Sequence, residues 1–426
     1  MILLFMGVFL LFVALGGTIA IAMLLSAIVY VAAGGRAEWT TLGLKIVTGL
    51  DSFPLLAVPF FILAGELMNQ AGITQALADL SAALVGRIRG GLAHVNVVTG
   101  MLMAGISGSA SADSAALTSV FVPPMEQAGY PRAFGAALSA CSGAIGPIIP
   151  PSIFMVVFGA LGNVSVGKLF LGGAVPGVCM GLILMGYSYT IARRRGYGGI
   201  NQRITARDLL HRVRAAVFPL TIPLIIIGGI VGGIVTPTEA GVLAVVTILV
   251  VGILITRRLS VAASIASLRS TAYTLGAVMF IVGAANIFAW MLGIERLGEH
   301  LSRLLLSVTS NPLVMLLVIN AILLVLGCIL DAMALLIVLT PILVPVVGGL
   351  GIDPIHFGVV MVLNLTIGLL TPPFGVVMFI ASAIAKVTVP EFVQEGWPMI
   401  LGLIGILLLC ILFPGVVLTL PQLLMP

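Results

Sequence analysis

Charge is scarce in this sequence. Of 426 residues only 8% are Asp, Glu, Lys or Arg, against 61% hydrophobic, and the mean hydropathy is +1.28. Soluble domains carry about 25% charge, so a water-exposed globule is excluded. Cysteine is equally sparse: Cys141, Cys179, Cys328 and Cys410 are scattered through apolar segments with no CxxC spacing. That excludes a disulfide framework and a thiolate metal site, and leaves four small buried hydrophobes. His94, His211, His300 and His356 fall at expected helix ends or in loops, so no buried histidine relay for protons is expected. No HExxH, no GxSxG and no His/carboxylate cluster occurs, and the chain is not read as an enzyme. The first residues lack the basic start and cleavage site of a signal peptide, so the first apolar run is expected to persist.

What fills the chain instead is a succession of apolar runs long enough to cross hydrocarbon. Their lengths and their Gly/Pro breaks predict spans near 2–15, 18–33, 53–70, 131–162 and 168–192, then 216–235, 238–256, 272–292, 354–385 and 392–420. The run 2–15 is short and stands either alone or as part of one bent helix with 18–33. Segments 73–88 and 294–308 mix charge with apolar residues at helical spacing, and are expected to lie along the interface with Asp79, Arg87, Glu295, Arg296 and Glu299 toward water.

The second half repeats the first. Gly72-Ile73 matches Gly293-Ile294, Asp113 matches Asp331, Pro123 matches Pro341, Phe134 matches Phe357, and Pro150-Pro151 matches Pro372-Pro373, at offsets of 218 to 223. Five spans per half is an odd number, so the second copy must enter the membrane upside down, as in the inverted repeats of secondary transporters. The expected fold is an all-α polytopic membrane protein: a first repeat over 1–192, a linker over 193–214 and a second repeat over 215–426. This topology puts 14 of the 19 Lys and Arg on one side, among them the seven arginines from Arg193 to Arg214. By the positive-inside rule that side is cytoplasmic; the basic pI of about 9.3 thus reflects topology rather than a polyanionic partner.

Two stretches are too short to cross and return. Residues 91–127 form two apolar arms joined by "GISGSASADS", and 312–349 repeat this around "LGCILDAM", so each is expected to be a re-entrant hairpin whose tip avoids lipid. A span with a broken centre follows each hairpin: "SGAIGPIIPPSI" at 142–153 and "NLTIGLLTPPFG" at 364–375. Proline removes an amide and clashes with the preceding turn, so both helices, 131–162 and 354–385, should unwind there. Freed carbonyls and hydroxyls suit a hard cation such as sodium, and positive half-helix ends suit a carboxylate. Ser107, Ser109, Ser111 and Ser114 offer hydroxyls or bare amides at the first tip. Ser109, Ser111, Asn364 and Thr366 are the substrate candidates, with Thr371 beside the second break. Asp113 and Asp331 sit where a carboxylate caps a helix start. In "TPTEAG", Thr236, Pro237 and Glu239 read as N-cap, first helical residue and capping box.

Taken together and in order, "GISGSASADSAAL", "GPIIPPS", "TPTEAG" and "NLTIGLLTPPFG" resemble the large membrane subunit of tripartite ATP-independent periplasmic (TRAP) transporters, and the resemblance covers essentially the whole chain. It implies a multi-pass protein of the bacterial inner membrane and an elevator-type, sodium-driven importer of organic acids such as C4-dicarboxylates or sialic acids. Its implied partners are a separate small four-helix membrane subunit and a soluble periplasmic substrate-binding protein. By resemblance the sodium sites fall at Ser107, Ser109, Gly146 and Pro150, and at Gly327, Asp331, Gly368 and Thr371, many through main-chain carbonyls. A stand-alone sodium/carboxylate symporter is the alternative; an ion channel would need a continuous polar pore, whereas the polar groups gather at two tips.

Overall fold

The computed structural model describes residues 1–35, 37–200, 205–295 and 311–425, which form helices and connecting turns with no strand among them. The first half runs α1 (Ile2–Ala14), α2 (Ile19–Ala32), α3 (Trp39–Leu50), a 3-10 turn at Phe53–Leu56 leading into α4 (Ala57–Gln70), α5 (Ile73–Val85), α6 (Gly91–Ser107), α7 (Ala110–Gln127), α8 (Arg132–Gly143), α9 (Ile153–Gly162) and α10 (Val166–Arg195). The second runs α11 (Ala206–Val231), α12 (Pro237–Leu249) with a π turn to Ile255, α13 (Val261–Ile294), α14 (Pro312–Gly327), α15 (Ala332–Gly349), α16 (Pro354–Gly368), α17 (Val376–Ala385), α18 (Val389–Leu412) and α19 (Gly415–Leu424). From α6 and from α14 onward the same order appears twice: two helices joined by a tight turn, a helix broken in two, and a long helix.

Local chemistry explains most boundaries. Thr205 and Asp208 open α11, and Thr236 and Glu239 open α12, each pair bonding reciprocally as a capping box, with Pro237 at the first helical position. Ser165 caps α10, which closes with three arginines and a left-handed Gly196 at φ 78°. Two of the prolyl-prolyl bonds, Pro150-Pro151 and Pro372-Pro373, are cis and lie inside the unwound segments 144–152 and 369–375.

Among the described residues seven helices are long and apolar enough to cross a membrane: Phe53–Gln70, Val166–Arg195, Arg207–Val231, Pro237–Ile255, Val261–Ile294, Ala332–Gly349 and Val389–Leu412. The remaining apolar helices are shorter. Several expectations change. Helix α3 was not expected, because Thr, Gly and Lys interrupt its apolar face; it packs on α13, where Asn286 Nδ2 donates to the Lys45 carbonyl at 2.6 Å. α1 and α2 are separate helices packed together rather than one bent helix. Helix α13 begins at Val261, well before 272, because Ser260 caps it. The run 392–420 is two helices, since Phe413-Pro414 separates α18 from α19. His94 and His356 are buried in the first turns of α6 and α16, and bond the carbonyls of Arg89 and Cys410. Of the segment 294–308, residues 296–308 lie outside the described residues, as do His300, Arg296 and Glu299.

Small residues make the interior. Between lipid-facing helices apolar burial gives little preference, so close approach decides packing. α7 and α8 meet through such a seam: a β-carbon on Gly143 would fall 2.5 Å from the Ser114 amide nitrogen. The two broken units interlock, with α9 against α15 and α16, and α17 against α7 and α8. Every residue of α16 from His356 to Gly368 is buried. Outward, Leu3, Leu224, Ile234 and Tyr273 leave an apolar surface of the kind lipid covers.

The stretch after α10 is anchored. Tyr197 stacks on Tyr130 with ring centroids 4.0 Å apart, Gly90 N and Gly91 N donate to Gly198 O at 3.2 and 3.3 Å, and Ile200 N donates to Gly86 O at 2.7 Å. Arg195 meets Glu395 of α18 with two N–H···O bonds of 3.0 Å.

Candidate functional site

The tip between α6 and α7 is shaped by one glycine and one cap. Gly108 takes φ 60°, and a β-carbon there would lie 2.6 Å from the Pro151 carbonyl oxygen, so only glycine lets the tip reach the first break. Ser109 then caps α7, its hydroxyl accepting from Ala112 N at 3.4 Å. The amides of Ala110 and Ser111 have no intrahelical partner. Ser107 Oγ donates to Asp113 Oδ1 at 2.5 Å, and Ser109 N donates to Ser107 Oγ at 3.2 Å. Asp113 is therefore not a cap: it lies one turn inside α7, fully buried, with Oδ2 lacking any hydrogen-bond partner. Gly146 of the first break faces that oxygen. Pro147 O, in the same break, accepts from Ser152 Oγ at 2.5 Å.

The second tip is built otherwise. Asp331 does cap, accepting Ala334 N at 2.9 Å at the start of α15. Gly327 and Gly368 touch backbone to backbone: a β-carbon on Gly368 would be 2.8 Å from the Gly327 carbonyl. Phe374 N donates to Cys328 O at 3.0 Å, tying this tip to its break as well. Thr371 Oγ1 donates to Ile367 O at 2.7 Å.

Both tips open into one cavity of about 470 Å³. Ser107 through Ala112 line it from the first tip, Asp331 and Met333 from the second, Leu369 from the second break and Val376 from the start of α17. α4 contributes Ile62, Gly65, Glu66 and Asn69, one helical face, and α13 contributes Thr274, Ala277, Val278 and Ile281. Gly65 lets α4 approach, since a β-carbon there would sit 3.2 Å from Ser107 Cα.

Of the predicted residues, Ser107, Ser109, Ser111 and Asp331 share this cavity. Gly146, Pro150, Gly327, Gly368 and Thr371 lie in or against the breaks and do not line it. Asn364 and Thr366 stand elsewhere, fully buried in α16. Asn364 Nδ2 donates to Asn320 O and Oδ1 at 2.7 and 2.9 Å, and Thr366 Oγ1 donates to Val362 O at 2.7 Å. These are helix-packing bonds, matched in the first half by Asn96 Nδ2 to Ser139 Oγ at 2.7 Å. Glu66, Asn69 and Thr274 were missed; the available signal was an ionisable residue within the apolar run 53–70.

Residues 6–416 match the family of the tripartite ATP-independent periplasmic transporter DctM component. The chain belongs to the TRAP transporter DctM family. It is 40% identical over 379 residues to the sialic acid TRAP transporter large permease protein SiaM of Vibrio cholerae, covering 89% of this chain and 88% of that one. It is 38% identical over 410 residues to the isethionate TRAP transporter permease protein DctMQ of Oleidesulfovibrio alaskensis, covering 96% of this chain and spanning 65% of that protein's length. In fold it is similar to the YdaH transporter of Alcanivorax borkumensis, with TM-score 0.66, 16% identity and 88% of each chain covered. Membership makes this a multi-pass transporter permease rather than an enzyme.

Proposed function

We propose that the cavity between the two tips is the transport site of a sodium-coupled organic-acid importer, and that the tips and their broken helices move together as an elevator against the remaining helices. The observation that carries this is the joint lining of one cavity by Ser107 through Ala112 and by Asp331. An 18-residue helix, α7, points its first amides, Ala110 and Ser111, at that space, an arrangement suited to a carboxylate. The unpartnered Oδ2 of Asp113, beside Gly146 and the hydroxyl of Ser107, suits a hard cation at the first break. The recurrence of tip, break and long helix in both halves supports an inverted repeat about that site.

By family, delivery is assigned to a periplasmic binding protein, and the remaining helices of this chain form a fixed scaffold against a small membrane partner. The test is uptake of labelled organic acids by proteoliposomes holding this chain and the small subunit, with and without a sodium gradient and the binding protein. Uptake that requires both is expected. Uptake indifferent to the binding protein overturns the tripartite reading, and indifference to sodium overturns the cation sites.

A further inference from the structure

We propose that Glu66 is a specificity-determining residue, and that the cargo is a single-carboxylate acid bearing hydroxyl or amino donors rather than a symmetric dicarboxylate. This rests on the transport-site reading of the cavity. The two ends of that cavity differ in polarity. At the first tip the cap is a neutral serine and two amides of α7 are bare, so this end favours an anion. At the second tip the cap is a carboxylate, Asp331, which opposes the same helix-end field at α15.

Glu66 adds to the acidic side. It projects from the face of α4 that also carries Ile62 and Asn69, and Ser270 Oγ donates to its Oε1 at 3.2 Å. Its Oε2 accepts no hydrogen bond among the described residues. No Lys, Arg or His lines the cavity among the described residues. A second substrate carboxylate placed against Glu66 would face like charge in a partly apolar space, which is unfavourable. A hydroxyl or ammonium there would instead donate to Oε2 in a charge-assisted bond, and the Asn69 amide adds a further donor and acceptor alongside. The cavity volume of about 470 Å³ accommodates an acid with several such groups.

The experiment measures uptake of a panel, aldonic, uronic and sialic acids on one side and succinate and fumarate on the other, by proteoliposomes of the complete transporter. Native protein is expected to give its highest kcat/KM with a hydroxylated acid, and Glu66→Gln to reduce that preference over succinate roughly tenfold, the scale of one charge-assisted hydrogen bond. Glu66→Asp keeps the charge and is expected to retain the preference with a raised KM, so one variant reports if the other fails to reach the membrane. The sodium concentration for half-maximal uptake should stay unchanged in both. A dicarboxylate as best cargo, an equal loss for every acid in Glu66→Gln, or a shifted sodium requirement each overturns the proposal. The underlying site is tested apart: if Ser111→Trp, which fills the cavity, transports the whole panel like native protein, the transport-site reading fails.

Discussion

A β-carbon on Gly146 would lie 2.7 Å from Oδ2 of Asp113. That carboxylate has little room to yield, since Ser107 holds its other oxygen and the residue is fully buried.

Gly146→Ala is accordingly expected to lower thermal stability in detergent by about 1–3 kcal/mol, the usual scale of overpacking, and to abolish sodium-dependent uptake. Uptake equal to native protein would show that the Asp113 carboxylate and the first break are not functionally linked.

Gly108 and Gly129 give a controlled comparison. Both adopt positive φ, 60° and 86°, but the space beyond Gly129 is open while a β-carbon on Gly108 meets the Pro151 carbonyl. Alanine at either should incur the left-handed penalty of about 1–2 kcal/mol. Only Gly108→Ala should also stop uptake, read in parallel by thermal unfolding and transport.

Asn364 is the residue on which sequence and structure part most clearly. Asn364→Ala removes two hydrogen bonds to Asn320 and leaves the buried Oδ1 and main-chain carbonyl of Asn320 without that donor, so a stability loss of about 1–3 kcal/mol is expected. Apparent KM should not change among molecules that remain folded. A raised KM with native stability would return Asn364 to the substrate site.

Thr236→Ala and Glu239→Ala each break the same reciprocal cap of α12. Each is expected to cost about 1 kcal/mol, with a double variant little worse than either single one, because the two bonds act as a unit. Differential scanning fluorimetry of the four proteins measures this, and cargo selectivity should be untouched.

The breaks and tips were legible because their chemistry is local. Pro150-Pro151 and Pro372-Pro373 stand among glycines in runs where the helix does unwind, and the small residues of "GISGSASADS" mark a tip between two apolar arms. Asn364 misled because nearness in sequence to a break says nothing about the face a side chain takes on α16. Asp113 misled in the opposite sense: it reads as a cap, but Ser109 occupies that position four residues earlier. Glu66 and Thr274 lie far from any break in sequence and reach the cavity only because α4 packs on α6 and α13 packs on α4 and α15, a tertiary fact. Helix α3 stayed hidden because Thr40, Gly43 and Lys45 dilute a twelve-residue segment below the length of a crossing.

The anchored stretch after α10 limits what the molecule can do as a machine. Ile200 is pinned to Gly86, and Thr205 caps α11. Five Cα-to-Cα steps join these two points, and a fully extended chain of that length reaches roughly 17–18 Å. Covalent geometry alone therefore caps the distance between Ile200 and Thr205. Any stroke that separates the start of α11 from the α5–α6 turn must end within that reach, or must first pull Ile200 off Gly86.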